Sequence, residues 1–264
     1  MKIIACIKQV PDSEAKVKAE GGQISWGDAP LVINPFDEYA VEGALQQKEA
    51  VSGSTVTALC IGPESAKEAL KHALAMGADD AILVSDSALN NLDTVGAARV
   101  LAAAIQKIGG AEMVIFGRQT LDNGSGLTPA QTARVLGWSL LGLAGQIKVE
   151  ERSVSSPPLP VTVERVIEEG RQSVKANLPA IISVVQSIGE PRYPSFMGIR
   201  KASKADIPVW SLGDLGIAAP DAILKRNELM NPPARETSVE MITGESPAEI
   251  ADKIADKLIA EKVL

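Results

Sequence analysis

The first half of the chain alternates short apolar runs with segments whose apolar residues recur every three or four positions. Apolar runs without polar alternation are typical of strands buried on both faces. They occur at residues 3–7, 56–63, 81–84 and 114–117. The helical spacing follows each of these runs, at residues 34–45, 65–76, 93–108 and 128–136. Asp93 is the predicted cap of the third helix, and Gly77 and Gly109 are predicted to end the second and the third.

Strands that alternate with helices indicate βαβ units, so the pattern predicts an α/β fold with a doubly wound, mostly parallel sheet. Ligands of such sheets bind beyond the carboxyl ends of the strands. In this chain those ends are residues 6–12, 60–63, 85–93 and 117–128. A pocket of nucleotide size is therefore expected at this edge of the sheet.

The segment 114–129 carries the strongest local signal, because a buried strand runs into a glycine-rich polar turn and then into a helix start. Glycines allow backbone N–H groups to point into one concavity, and the helix start adds unpaired N–H groups and positive dipole. These features suit a phosphate, although an ordinary strand-to-helix loop remains an alternative. The dinucleotide fingerprint is excluded, because Pro129 stands where its third glycine belongs, and no Walker lysine follows the glycines.

The pattern changes after Trp138. Residues 162–167 and 172–178 flank a turn at 168–171, which predicts a β-hairpin, and residues 179–185 predict another buried strand. From Gly189 onward prolines interrupt the chain repeatedly, and Ser246-Pro247-Ala248-Glu249 predicts a capping box that opens a C-terminal helix. We therefore expect an α/β domain over residues 1–188 with an antiparallel addition. Residues 189–264 are expected to form an arm that packs on a partner.

The composition narrows the function further. A net charge of −7 over 264 residues argues against nucleic acid as a partner, and no apolar run is long enough for membrane insertion. The N-terminus enters a strand directly, and only two distant cysteines are present, so we expect a cytoplasmic protein or one of an organelle matrix. The single histidine, His72, lies within a predicted helix, so no catalytic triad is expected, and the two cysteines lack the spacing of metal ligands.

Four motifs in chain order resemble the beta subunit of electron transfer flavoproteins, the group that includes FixA-like proteins. Residues 5–12 resemble the opening strand and loop, and residues 34–42, which begin Asn-Pro-Phe, resemble the entry of the first helix. Residues 163–184, with Arg165 and Gly170, resemble the signature hairpin, and residues 190–196 resemble the recognition loop.

The resemblance implies an adenine-nucleotide alpha-hydrolase-like fold and a heterodimer with an alpha subunit that holds most of a redox-active FAD. The beta subunit would cover part of the flavin, bind AMP, and act as an electron carrier rather than a stand-alone enzyme. Electrons would come from acyl-CoA or other dehydrogenases and pass to a quinone oxidoreductase.

The resemblance also implies site residues. The cofactor-binding residues would be Cys6, Lys8, Asn34, Phe36, Cys60, Asp93, Thr94, Gly117, Gln119, Asp122, Asn123, Gly124, Ser125, Gly126, Leu127 and Thr128. Partner contacts would come from Arg165, Arg192, Tyr193, Phe196 and Met197, with Phe196 in the place of the family's leucine anchor.

The phosphate loop departs from the family pattern and leaves the ligand open. Of the Asn-Gln-Thr triplet that closes on AMP, only Thr128 is present, since Gly126 and Leu127 replace the other two. Electron-bifurcating members of the family bind a second FAD at this place through an Asp-Gly-Asp-Thr loop. The corresponding residues 122–125 of this chain are Asp-Asn-Gly-Ser. AMP is favoured slightly, and a second FAD that oxidises NADH is the alternative. A third alternative is a nucleotide-binding regulatory protein that acts alone.

Overall fold

The alternation of strands and helices is confirmed in a computed structural model, which describes residues 1–90, 92–150, 159–224, 228–233 and 239–263. The strands are β1 (Lys2–Ile7), β2 (Gln9–Pro11), β3 (Lys18–Glu20), β4 (Gln23–Ser25), β5 (Leu31–Ile33), β6 (Thr55–Ile61), β7 (Asp80–Val84), β8 (Ala111–Gly117), β9 (Ser139–Val149), β10 (Pro160–Ile167), β11 (Gly170–Asn177), β12 (Ala180–Val184) and β13 (Val209–Trp210). The α-helices are α1 (Pro35–Ala50), α2 (Lys67–Met76), α3 (Thr94–Ile108), α4 (Thr128–Leu136), α5 (Phe196–Ala202), α6 (Leu212–Leu215) and α7 (Pro247–Ala260).

One nine-stranded sheet organises the fold, in the order β11-β10-β9-β12-β8-β1-β6-β7-β13. The neighbours from β9 to β13 are all parallel, whereas β10 pairs antiparallel with β9 and with β11. The predicted fold class, a mostly parallel sheet with an antiparallel hairpin addition, is therefore confirmed.

Apolar layers cover both faces of the sheet. Side chains alternate along a strand, so Ile3 packs in the layer that contains α1 and α2, while Ile4 packs in the layer that contains α3 and α4. Both residues are fully buried. Because each face is sealed by helices, a ligand can approach the parallel strands only at their ends.

Several elements extend the predicted pattern. β3 pairs with β4 as an antiparallel hairpin, and β2 pairs with β5. The eleven-residue strand β9 was not predicted. Within residues 189–224, β13 joins the sheet edge beside β7, and α5 packs against α2. The expectation that residues 189–264 pack on a partner stays a prediction.

The chain divides into two compact units, Met1–Glu228 and Leu229–Leu264. The second unit contains α7, whose described side chains are all at least partly exposed. Ser246 caps α7 by accepting from the N–H of Glu249 at 3.3 Å, but the Glu249 carboxylate accepts from the N–H of Glu245, so only half of the predicted capping box forms. Among the described residues no helix is long and apolar enough to cross a membrane.

Candidate functional site

A cavity of about 1250 Å³ opens at the carboxyl ends of the parallel strands in the first unit. Its walls come from the segments that follow β1, β6, β7 and β8 and from the first turns of α3 and α4. The predicted cofactor-binding residues that line it are Cys6, Lys8, Asp93, Thr94, Gly117, Gln119, Asn123, Ser125, Gly126, Leu127 and Thr128. The topology of the sheet thus brings together residues that lie far apart in the sequence.

The other predicted cofactor residues lie behind or beside this wall, and Asn34 holds it in place. The fully buried amide of Asn34 donates to the Gln119 carbonyl at 2.9 Å and accepts from the Leu121 N–H at 3.1 Å. Asn34 therefore fixes the start of the glycine-rich loop to the entry of α1. Phe36, Cys60, Asp122 and Gly124 likewise lie outside the cavity lining.

Gly117 is required at the end of β8 by a close approach of two backbones. A Cβ atom at this position would lie 2.5 Å from the carbonyl oxygen of Phe36 and 2.5 Å from Oδ1 of Asp37. Gly126 has a φ of +62°, a left-handed conformation that glycine adopts without steric cost. The loop can pass close to α1 and turn into α4 only because these two positions lack side chains.

The first turn of α3 presents a hydroxyl group to the cavity. Thr94 lines the cavity, and its Oγ1 is buried without a hydrogen-bond partner among the described residues. The preceding Asp93 is the predicted cap and accepts from the N–H of Gly96 at 2.7 Å. Backbone hydrogen bonds from Gly96 and Leu224 hold the pKa of Asp93 below its ordinary value. This carboxylate is therefore ionised and engaged with backbone N–H groups.

Charged groups flank the cavity on the β1 side. Lys8 forms an ion pair with Asp122 at 2.5 Å, and the second carboxylate oxygen of Asp122 is buried without a partner in the described part of the chain. Behind them, burial raises the pKa of Asp37 to about 7, against the opposing effect of its hydrogen bonds. One of these is the N–H of Lys8, which donates to Asp37 at 2.8 Å.

The two cysteines lie on neighbouring strands but face opposite sides of the sheet. Cys6 belongs to the apolar layer with α3, and Cys60 to the layer with α1 and α2. Both are free and buried. Burial raises the pKa of the Cys60 thiol to about 12 and also raises that of Cys6, so both are uncharged, and Cys6 contributes a small apolar wall.

Sequence reasoning missed one part of the wall and predicted another only as a range of residues. Ala222 and Leu224 line the cavity from the segment that follows α6, and Ser85 and Asp86 line it just after β7. The end of β7 was expected at this edge of the sheet, but no residue there was singled out. The contribution of Ala222 and Leu224 depends on backbone contacts that leave no sequence pattern.

The predicted partner residues differ in exposure. Tyr193 is 92% exposed and Phe196 is 80% exposed, and Met197 is also exposed. Arg192 instead forms ion pairs with α1, to Glu42 and Glu49. Arg165 is half-buried and donates from Nε to the Gly142 carbonyl at 2.9 Å.

The described residues place neither a metal-binding cluster nor a histidine at the cavity. They contain no cluster of His, Cys, Asp and Glu side chains that could hold a metal ion. His72 pairs with Glu38 on neighbouring helices at 2.9 Å, away from the cavity.

Comparison with known proteins agrees with this architecture. A family model described as an electron transfer flavoprotein domain matches residues 26–215. The electron transfer flavoprotein subunit beta of Megasphaera elsdenii is 33% identical over the full length of both chains, and that of Mycobacterium leprae is 36% identical over 99% of both. The caffeyl-CoA reductase-Etf complex subunit CarD of Acetobacterium woodii is 32% identical over the full length of both. The chain therefore belongs to the beta-subunit family of electron transfer flavoproteins.

Proposed function

We propose that this chain is the beta subunit of a heterodimeric electron transfer flavoprotein and that it binds AMP in the cavity at the strand ends. An alpha subunit would hold most of the redox-active FAD, and this chain would help to enclose it. Electrons would pass from acyl-CoA or other dehydrogenases to a quinone oxidoreductase. Membership of the family supports the electron-transfer role, and the cavity at the strand ends supports the binding of a nucleotide.

The observation that supports a bound nucleotide is that the first turns of two helices face the same cavity. Thr94 opens α3, Thr128 opens α4, and both line the cavity together with the glycine-rich loop. Helix starts offer unpaired N–H groups and a positive dipole end to an anion. The partnerless buried hydroxyl of Thr94 also fits a polar ligand, because a buried oxygen without a hydrogen bond is otherwise costly.

Within this proposal the residues of the wall have distinct tasks. Ser125 and Thr128 supply hydroxyls, and the backbone of Gly126 supplies an N–H group beside the phosphate. Lys8 and Arg118 also line the cavity and supply positive charge. Arg118 is exposed and has no ion pair in the described ranges, so its charge is free for a ligand.

The flavin of the partner would be covered by the entry of α1 and by the hairpin. When bound, FAD supplies the electron-accepting chemistry, and the protein supplies position and shielding from water. Phe36 lies in the first turn of α1, half-buried, where its backbone contacts Gly117. Arg165 is oriented by its hydrogen bond to Gly142, which fixes it at the end of the β9–β10 pairing, next to a shift in register.

The electron donor would dock on the segment that leads into α5 and on the first turn of this helix. Tyr193, Phe196 and Met197 expose apolar surface there, and exposed aromatic residues are typical anchors of protein interfaces. Arg192 fixes the start of this segment to α1 by its pairing with Glu42. Its role in this proposal is to position the neighbouring exposed side chains.

A second FAD in place of AMP is the alternative, and the size of the cavity favours it. The volume of about 1250 Å³ is above the roughly 300–1,000 Å³ of ordinary small-molecule pockets. The relative CarD belongs by name to a caffeyl-CoA reductase complex, so relatives of this chain include subunits of larger enzymes. In that case the second FAD would accept a hydride from NADH.

Nucleotide extraction decides between these proposals. The chain is co-purified with its partner from the host, the complex is denatured, and the released nucleotides are quantified by chromatography. One FAD and one AMP per heterodimer are expected. Two FAD without AMP would establish the bifurcating alternative. A colourless chain that purifies without a flavoprotein partner would refute both proposals and would favour a protein that acts alone.

A further inference from the structure

The carboxylate of Asp93 makes two sets of hydrogen bonds at the edge of the cavity. Its Oδ1 caps α3 by accepting from the Gly96 N–H at 2.7 Å. Its Oδ2 accepts from the N–H of Ile223 at 2.7 Å and from that of Leu224 at 3.0 Å. One side chain therefore joins the start of α3 to a segment that lies 130 residues further along the chain.

That segment, residues 220–224, is called the strap. A Cβ atom on Gly96 would lie 3.5 Å from Cγ of Pro220, so the strap begins against the first turn of α3. Ala222 and Leu224 then line the cavity, and both are also exposed to solvent. The strap thus stands between the cavity and the solvent.

Further contacts guide the chain to this position. The carbonyl of Trp210 accepts from the Ser85 N–H at 2.9 Å, which fixes β13 to the end of β7. The second oxygen of Asp86 then accepts from the N–H of Leu212 at 3.3 Å. The strap itself depends on Asp93. Among the described residues, the two bonds to the Asp93 carboxylate are the only hydrogen bonds between the strap and a side chain.

We propose that the strap is a retaining element of the nucleotide cavity and that Asp93 is the positioning residue that keeps it closed. This inference rests on the proposed nucleotide in the cavity. The strap would control how fast the nucleotide enters and leaves the cavity. This role is separate from direct contact with the nucleotide. Two hydrogen bonds to an ionised carboxylate are strong enough to keep a short segment in place and weak enough to open reversibly.

The replacement Asp93→Asn separates the two tasks of this side chain. Asparagine caps helices as well as aspartate does, so the bond to Gly96 is kept. The second oxygen becomes an amide NH₂, which cannot accept from Ile223 and Leu224. The variant Ile223→Pro removes a bond from the other side, because proline has no N–H.

The experiment uses the co-purified heterodimer, loaded with radiolabelled AMP, or with FAD if extraction of the wild type yields two FAD. Dissociation is followed during a chase with unlabelled nucleotide, and association is followed into the nucleotide-depleted complex. Asp93→Asn and Ile223→Pro should each accelerate dissociation on the order of tenfold, the worth of a hydrogen bond to a charged group. Association should also become faster, because entry no longer waits for the strap to open.

The controls distinguish a retaining strap from a damaged site. Lys107 holds α6, which precedes the strap, through the Asp214 carbonyl at 2.8 Å but does not line this cavity, so Lys107→Gln should leave both rates unchanged. The double variant of Asp93 and Ile223 should be no faster than Asp93→Asn alone, because that replacement already removes both bonds to the strap, including the one that Ile223→Pro removes. Equal rates in the wild type and both variants, or faster dissociation with slower association, would refute the strap. A wild-type complex without cavity nucleotide would refute the proposed function instead.

Discussion

The guanidinium of Arg192 is held by the carboxylate of Glu42, which is only 7% exposed. Arg192 donates from Nε to one oxygen at 2.8 Å and from its second terminal nitrogen to the other at 3.0 Å. This bidentate geometry is the strong form of an arginine–carboxylate pair. It joins α1 to the segment that carries the exposed Tyr193 and Phe196, so a contact inside the chain fixes a surface proposed for the electron donor.

Removal of the arginine should therefore leave a buried carboxylate without its partner. Arg192→Ala is expected to lower the free energy of unfolding by about 1–3 kcal/mol, below the value for a fully buried pair because Arg192 is partly exposed. Urea unfolding of the complex at fixed concentration measures this loss. Glu49→Ala removes the second, exposed partner of Arg192 and should cost at most about 1 kcal/mol.

The same pair predicts a pH dependence. Burial alone would raise the pKa of Glu42, but the hydrogen bonds and charge of Arg192 outweigh it and lower that pKa from its ordinary 4.5. The stabilisation is present above this ordinary pKa and is lost as the pH falls through the lowered value. The difference between wild type and Arg192→Ala should shrink below about pH 4. A difference that stays constant down to pH 3 would contradict the ionic origin of the stabilisation.

Phe196→Ala tests the proposed docking surface. The ring is 80% exposed, so its removal should change the free energy of unfolding by less than about 0.5 kcal/mol. Electron transfer from the cognate dehydrogenase should slow on the order of tenfold, as for the loss of an aromatic interface anchor. Stopped-flow reduction of the flavin measures the rate, and Val17→Ala, at an exposed apolar residue elsewhere, is the matched control. Loss of flavin from Phe196→Ala would instead indicate a structural role.

Gly117→Ala tests the close approach behind the nucleotide cavity. The new Cβ would meet the backbone of Phe36 at 2.5 Å, and backbone atoms cannot move aside as a flexible side chain can. We expect a loss of about 3 kcal/mol or more and release of the cavity nucleotide. Gly142→Ala is the control, because its Cβ would meet only Oγ of Ser183 at 3.6 Å. Equal thermal stabilities of the two variants would contradict the steric argument.

The parts of the fold that were predicted from sequence rest on local patterns. The buried runs at β1, β6, β7 and β8 and the cap at Asp93 are each readable from a few neighbouring residues. The topology rule for parallel sheets then places their carboxyl ends at one edge without any knowledge of contacts. A cavity accordingly lies at the edge of the sheet that this rule predicts. That the residues which line it bind a cofactor stays a prediction.

The missed elements depend on contacts that a local pattern does not contain. Strand β9 is irregular, because Leu143 has a φ of +60° and its N–H bonds to the hydroxyl of Ser183. Gly145, in the same strand, leaves room for Ser187, whose Oγ would be 2.4 Å from a Cβ there. The strap is recognised only through backbone N–H groups that bond to Asp93, and every residue type except proline carries such a group.

Asp37 predicts the opposite pH dependence from Glu42. Burial raises its pKa from an ordinary 3.8 to about 7, so the folded state keeps a proton that the unfolded chain releases. The free energy of unfolding should therefore fall by a few kcal/mol as the pH rises from about 4 to about 7. Asp37→Asn cannot ionise and keeps an oxygen that can accept from the Lys8 N–H. Urea unfolding of the complex across this range should show a reduced slope for the variant, and parallel profiles of the two proteins would refute the assignment to Asp37.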